Sequence, residues 1–551
     1  MKLRVQKFKK MQNGKAYFYS WIGYSYRNEK GTPTFKRLVS LANLPDKEVE
    51  AIKAVLSIEG EVTDNILNVS FLTALPIGAE FAAFRLAEDL GIGKALECLP
   101  EKDAKLVSAM ILNRVIEPFP MSKKALYENL PGSGLERILE LDSKDIKLDD
   151  MYFALDKLQT CKNNIEKFLF DYRKINNSRM FLYDITSSYF EGDSCPLEAF
   201  GYNRDGKKGK KQIVIGLLTD ENGGPISVEV FDGNTSDQTT VLPRIDSMRE
   251  RFGIDEMVFV GDRGMLTKAR REDLQSKDYE KVKYISALSR REFERFLDDD
   301  NHPLQLSLFD RQNLVEVEKD AVRYVLSFNP ELETESRETR QRLIERTAEK
   351  LEGIKKSVTA GRLKDRDKIA KRLYACYDKW NSGRFFEVVY DEGKFDYELD
   401  EGKVAAYANM DGFYVLTSDV VELSTEEVRT KYKSLQMVEQ AFRTMKTTDL
   451  FMRPIRHWNA ERVKAHVFVC MLSYMIIWKA RQAFAEFLNP DDELRVSLRT
   501  IWKKLEKVQI GRIKIGNKIN EQLGVISHET REILKKAGAS FTGKNLKKVG
   551  L

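Results

Sequence analysis

The sequence predicts an α/β core, interrupted by an insertion of mixed helical and β character and flanked by basic ends. Three observations carry this expectation. Between residues 175 and 290 short apolar strands alternate with helical stretches, and two of the strands run into an aspartate. From 291 to 425 that rhythm gives way to a highly charged helical stretch followed by strand-like alternation. Finally, residues 1–40 hold ten Lys/Arg against Glu29 alone and residues 501–551 hold twelve against four Glu, which leaves the middle of the chain net acidic although the whole carries only +6. Basic ends around an acidic middle suit a polyanion held at the periphery with carboxylates kept inside, although solvated lysine-rich tails would look the same.

The elements follow in order. Residues 1–45 alternate apolar and polar side chains, as in Ala16-Tyr-Phe-Tyr-Ser-Trp-Ile22, around a polar Asn28–Gly31 turn, which predicts a basic β-hairpin arm. Residues 46–174 read as helical, as in 82–90 and 105–115. Residues 175–290 give the first part of the core. Met180-Phe-Leu-Tyr-Asp184 is an apolar strand running into a carboxylate, 212–218 and 225–231 are two further strands, and 238–251 is a helix. Glu256-Met-Val-Phe-Val-Gly-Asp262 repeats the strand-then-carboxylate pattern, before a helix at 267–275 and a strand at 282–288. Three successive strands, then helix, strand, helix, strand, is the connectivity of a ribonuclease-H-like core. Residues 291–425 are read as an insertion domain, 426–490 as the second part of the core, and 491–551 as a basic helical tail.

The composition excludes several classes. At 42% hydrophobic and 32% charged the chain is neither disordered nor fibrous. Its five cysteines are scattered with no C-x-x-C pair, which argues against a disulfide scaffold or a zinc site and fits a reducing cytoplasm. The start, with Lys2, Arg4 and Lys7, lacks the apolar stretch of a signal peptide. Val467–Trp478, about a dozen apolar residues, is too short to span a bilayer and reads as a buried helix, so no membrane partner is expected.

The chemistry lies in the carboxylates. Phosphodiester transfer uses two cations about 4 Å apart, one activating the attacking oxygen and one steadying the leaving oxygen. Mg²⁺ prefers hard oxygen ligands, and an economical site ends neighbouring strands in Asp and brings a Glu over them on a helix. Asp184 and Asp262 have the strand positions. The segment Tyr432–Lys446 has helical periodicity, with Leu435, Val438 and Phe442 three and four apart. At about 100° per residue Tyr432, Glu439, Arg443 and Lys446 share one stripe: a metal-ligand carboxylate with a phenol and two cations placed to grip phosphates. A solvated face of ordinary charge pairs is the competing reading.

These segments resemble bacterial insertion-sequence DDE transposases. The resemblance rests on Leu182-Tyr-Asp184-Ile-Thr-Ser, Gly201-Tyr-Asn-Arg-Asp-Gly206, Gly233-Asn-Thr-Ser-Asp237, Val260-Gly-Asp262-Arg-Gly264 and the Tyr432–Lys446 stretch. More narrowly they resemble the subgroup with a Tyr-x2-Arg-x3-Glu-x6-Lys signature and a β-rich insertion in the core. Tyr432, Glu439 and Lys446 match that spacing, whereas Leu435 stands in the arginine slot, and Arg443 is the candidate substitute. The resemblance covers about 180–290 and 425–470. It implies catalysis by Asp184, Asp262 and Glu439 with two Mg²⁺ or Mn²⁺, Asp184 bridging both ions. It further implies action on double-stranded DNA, at terminal inverted repeats and at a target, by a homodimer or larger synaptic assembly working at the bacterial nucleoid, with the helical region 46–174 and the basic arm as the candidate DNA-end-binding region.

Four secondary candidates complete the set. Arg263, beside Asp262, is a DNA contact or a solvated cation. His457, in Arg453-Pro-Ile-Arg-His-Trp458, either orients a phosphate or packs under Trp458. Trp380 is a base wedge or a core residue. The lysines at 207, 208, 210 and 211 form a basic turn that could lie along a DNA backbone. Two other functions stay open: a nuclease or resolvase on the same core, and a non-catalytic DNA-binding descendant of a transposase.

Overall fold

The computed structural model describes residues 3–12, 15–28, 30–42, 44–57, 69–175, 178–192, 194–207, 209–297, 315–319, 321–377, 382–488, 496–515 and 518–541. Its chain packs as two units, one formed by 1–82, 132–140 and 500–551 and the other by 83–131 and 141–499.

In the first unit β1 (Arg4–Gln12), β2 (Lys15–Arg27) and β3 (Pro33–Ser40) form an antiparallel meander, one strand more than the expected hairpin. The β2–β3 turn is fixed by Asn28, whose Oδ1 accepts the amides of Lys30 and Thr32 at 3.1 and 3.0 Å, with Gly31 at φ +73°. A helix, Asp46–Ser57, packs on β1. The region expected to be helical throughout contains a strand, β4 (Val69–Pro76). The tail expected to be helical supplies its partners, β15 (Gln509–Ile515) and β16 (Lys518–Leu523). Both revisions have one cause: the Val69-Ser-Phe-Leu-Thr73 pattern suits a strand, but only pairing with a segment far away in sequence makes it one.

The second unit is built on an eight-stranded mixed sheet. At its centre β5 (Met180–Tyr189) pairs antiparallel with β6 (Gln212–Asp220), which pairs antiparallel with β7 (Pro225–Phe231). On the other side β5 pairs parallel with β8 (Met257–Val260), and β8 parallel with β9 (Val282–Ala287). These are the five strands expected from the sequence. Every residue of β6 is buried, which its unbroken apolar run requires. The helix Val241–Phe252 covers one face, its Val241, Ile245, Met248 and Phe252 packing with Phe181, Tyr183 and Ile185 of β5.

The segment read as an insertion extends this sheet. β10 (Val315–Lys319), β11 (Val322–Phe328) and β14 (Phe413–Ser418) continue it antiparallel beyond β9. Between β11 and β14 the helices Pro330–Thr359 and Arg366–Tyr377 pack with a hairpin, β12 (Phe386–Asp391) and β13 (Lys394–Leu399), around their own core of Leu351, Ile369, Leu373, Phe386 and Phe395.

The apolar stretch at 467–478 lies inside a longer helix, Ala460–Ala483, which by length and composition could cross a membrane; 83% of its most apolar window is buried. It packs against β7 and the helices Glu101–Ile116 and Leu148–Tyr172. A helix apolar all round finds its partners on every side.

Candidate active site

Asp184 does not end its strand: β5 runs on to Tyr189. What ends is the parallel neighbour. The β5–β8 ladder closes at Leu182↔Val260, so Asp184 and Asp262, each two residues further, emerge side by side where β8 stops. Asp262 is held by a turn of its own making, its Oδ1 accepting the amides of Gly264 and Met265 at 3.0 and 2.9 Å. The Asp184 Oδ1 accepts only the Ile185 amide, at 2.8 Å. Glu439 stands exposed on the helix Leu435–Arg443, whose buried Leu435, Val438 and Phe442 seat it against β5. The three carboxylates line one cavity of about 890 Å³, together with Arg204, Arg263, Tyr432, Arg443, Lys446 and Arg453.

Its lining carries both signs, yet burial raises the two aspartates. Burial, and then the neighbouring carboxylates of Asp262 and Glu439, raise the Asp184 carboxyl to about 7; the Ile185 amide and Arg204 only partly oppose them. Burial also raises Asp262, helped by Asp237 and opposed by the two turn amides and Arg204. The Tyr432 phenol is pushed up by burial and then by Asp262, so it keeps its proton. Among the described residues no three His, Cys, Asp or Glu side chains stand close enough to cage a metal unaided. Mg²⁺ does not need such a cage, since it keeps several waters and takes one or two carboxylates. Carboxylates raised chiefly by burial, and secondarily by their acidic neighbours, fit it.

The expected continuous helix from Tyr432 to Lys446 is in fact three pieces. The helix Thr425–Lys433, which carries Tyr432, stops at Ser434, and Leu435–Arg443 begins anew. Ser434 Oγ donates to the Thr430 carbonyl at 3.2 Å, a local bond that competes with the helix ladder. Thr444–Thr448 then forms a wider π turn, which shifts the phase of Lys446. Lys446 is buried, donating to Thr186 Oγ1 at 2.6 Å and to Asp205 Oδ1 at 3.1 Å. Asp205 also pairs with Arg453 at 2.5 Å and accepts the Tyr189 amide at 3.1 Å. Lys446 therefore lines the cavity while tying the π turn to β5 and to the loop that carries Asp205.

The remaining candidates divide. Arg263 and Arg443 are exposed at the cavity, and Leu435 is buried in its wall. His457 does not line it. Its ring lies 6.4 Å from Tyr152 and 5.3 Å from His466, and burial with nearby Lys123 and Arg114 lowers it to about 3. Trp380 lies outside the described residues. Of the basic turn, Lys210 pairs with Glu191 at 3.4 Å and Lys211 with Glu198 at 3.2 Å, while Lys208 lies outside the described residues.

Sequence reasoning passed over Arg204, Asp205 and Asp237, although all three lie in motif segments it singled out. Arg204 pairs with Asp237, and its amide donates to Ser187 Oγ at 3.0 Å. A Cβ on Gly264 would stand 3.5 Å from the Asp262 oxygens and 3.6 Å from Asp237 Oδ2, so a fourth carboxylate adjoins the turn.

Residues 178–476 match the family model of the transposase DDE domain, a span that contains Asp184, Asp262 and Glu439. No curated protein gives a significant match to the chain. Among solved structures, the cryo-EM structure of the piggyBac transposase synaptic complex with hairpin DNA is 11% identical with a TM-score of 0.35, over 76% of this chain and 70% of that one. With a family model spanning more than half of its residues, the chain belongs to the DDE transposase domain family.

Proposed function

We propose that this chain is the transposase of a bacterial insertion sequence, working in the cytoplasm as a homodimer or larger synaptic assembly. It cuts DNA at the element's ends and joins the freed 3′-hydroxyl to a target. The observation that carries this reading is the convergence of three carboxylates, from segments far apart in the chain, on one cavity whose other charged lining includes Arg204, Arg263, Arg443 and Arg453. The β7-β6-β5-β8-β9 order with β6 antiparallel supports a ribonuclease-H-like core.

Asp184, Asp262 and Glu439 would hold two divalent cations, Mg²⁺ or Mn²⁺, which when bound supply the activation of the attacking oxygen and the stabilisation of the leaving one. The side chains do the positioning. Arg263 and Arg443, exposed at the cavity, fix phosphates on either side of the scissile bond. Tyr432, protonated, donates a hydrogen bond to a phosphate oxygen. Lys446 and Arg453 hold the Asp205 loop, and with it Arg204, against the carboxylates. No serine or tyrosine nucleophile is needed.

Incubating the protein with DNA from the flanks of its gene and Mg²⁺ or Mn²⁺ tests the proposal. Wild type should nick and join, and Glu439→Gln should bind but do neither. Cutting without joining would mark a nuclease or resolvase, and binding without cutting by the wild type would mark a non-catalytic descendant.

A further inference from the structure

The first unit presents a sheet face for which the proposed cutting chemistry has no use. Pairing registers fix the faces of β1–β3, because residues opposite one another point to the same side. Arg4↔Gly23, Gln6↔Trp21 and Phe8↔Tyr19 lie on one side with Lys10, and Gly23↔Arg37 and Ser25↔Phe35 continue it across β3. The other side carries Val5, Lys7 and Ile22. There the helix Asp46–Ser57 packs against β1, with Lys7 and Asp46 4.0 Å apart. The helix meets this side along the edge strand β1 and leaves Lys7 more than half exposed, so both faces are open to solvent and what distinguishes the first is its arginines. Among the described residues of the three strands there is no acidic side chain.

The arginines on the first face are held in place. The Arg37 guanidinium lies 4.1 Å above the Phe8 ring and 5.8 Å from Trp21. Arg4 lies 5.8 Å over Phe35 and donates to Ser25. Stacking on aromatic rings leaves a guanidinium's in-plane N–H groups free to point outward as a fork, at a reduced entropy cost on binding. The same stacking covers the rings, so bases would have to displace the arginines in order to stack there. The major groove of B-DNA, about 12 Å wide, admits a two-stranded β-ribbon, so two of the three strands can enter it.

We propose that this face, through Arg4, Lys10 and Arg37, docks in the major groove of double-stranded DNA. The sheet, rather than the helical region after it, then holds the DNA end that the second unit cuts. The inference rests on the proposed function for its ligand, since DNA is the substrate that reading assigns.

The test uses the full chain in EDTA, with fluorescence anisotropy on a 30-base-pair duplex from the flanks of the gene and on a single strand of the same sequence. The double variant Arg4→Ala/Arg37→Ala should lose at least about tenfold in duplex affinity, and its log-affinity against log-salt slope should fall by about two. Lys10→Glu, at an exposed position, should weaken binding without disturbing the stacks, which guards against a merely misfolded sheet. Lys9→Ala/Lys36→Ala, on the opposite face, should change affinity less than twofold. Unchanged duplex affinity in the first-face variants, an equal loss in the opposite-face variant, or tighter single-strand binding through the same residues would each overturn the proposal. Cutting is assayed separately, with metal. Wild type that binds through this face but never cuts sinks the proposed function alone, and cutting by a double variant of unchanged affinity sinks this inference alone.

Discussion

At the scale of single residues the site is defined by where charge is confined. Asp184, held near 7 against an ordinary 3.8, destabilises the metal-free fold once it ionises. The penalty is absent below pH 4, where the group is protonated folded or unfolded, and complete above pH 7. In EDTA at pH 8 Asp184→Asn should therefore be more stable than wild type, by up to about 4 kcal/mol, and melt at a higher temperature, with the gap closing by pH 4. Mn²⁺ should raise the melting temperature of the wild type and leave the variant's nearly unmoved. Lys446→Ala should act in the opposite sense, since it strips a buried carboxylate of one of two cations; a loss of about 2 kcal/mol in urea titration is expected. Arg443→Ala should leave folding intact and lower the salt slope of DNA binding by about one. Strand order, the helical stripe and the family resemblance together pointed to the three carboxylates, although Asp184 lies inside β5 rather than at its end. The Lys446–Asp205 pair was not legible, because its partners are 241 residues apart and nothing local marks Asp205 as the counter-ion.

At the scale of elements, strands were easier to anticipate than helix continuity. Apolar runs at 180–186, 212–218 and 256–262 are short and, with their β-branched and aromatic residues, point to buried strands. In the segment 432–446 the break falls at Ser434, whose Oγ bonds back to the Thr430 carbonyl, and the π turn sets Lys446 against Thr186 and Asp205. The loop carrying Arg204 is equally constrained. Gln212 Nε2 donates to the Tyr202 and Gly233 carbonyls at 3.1 and 2.8 Å, and a Cβ on Gly201 would fall 2.1 Å from the Gly233 oxygen. Gly201→Ala must push this loop outward. It should cost about 1–3 kcal/mol in denaturant titration and impair cutting more than DNA binding, because Arg204 and Asp205 move with the loop.

At the scale of the whole molecule, the point at which the core is interrupted was legible from the change of rhythm near residue 290, but its integration was not. β-Strands that extend a sheet from within an insertion look in sequence like any other short strands. The structure places Phe328 opposite Phe413, so β11 and β14 are already positioned as a hairpin whose loop has been replaced by residues 329–412. Replacing that segment with an Asn-Gly turn should give a soluble protein that still unfolds cooperatively, whereas aggregation or a non-cooperative melt would show that the satellite core is needed for folding. The order of the carboxylates along the chain has a further consequence, which concerns time. Glu439 follows Asp184 by about 250 residues, and at 5–20 residues per second the ribosome takes tens of seconds to cover that distance. On the proposed reading a nascent chain exposes its N-terminal arm and two of the three carboxylates long before the third arrives. Synthesis interrupted in that interval would leave a chain without the third carboxylate, and so without the proposed cutting site.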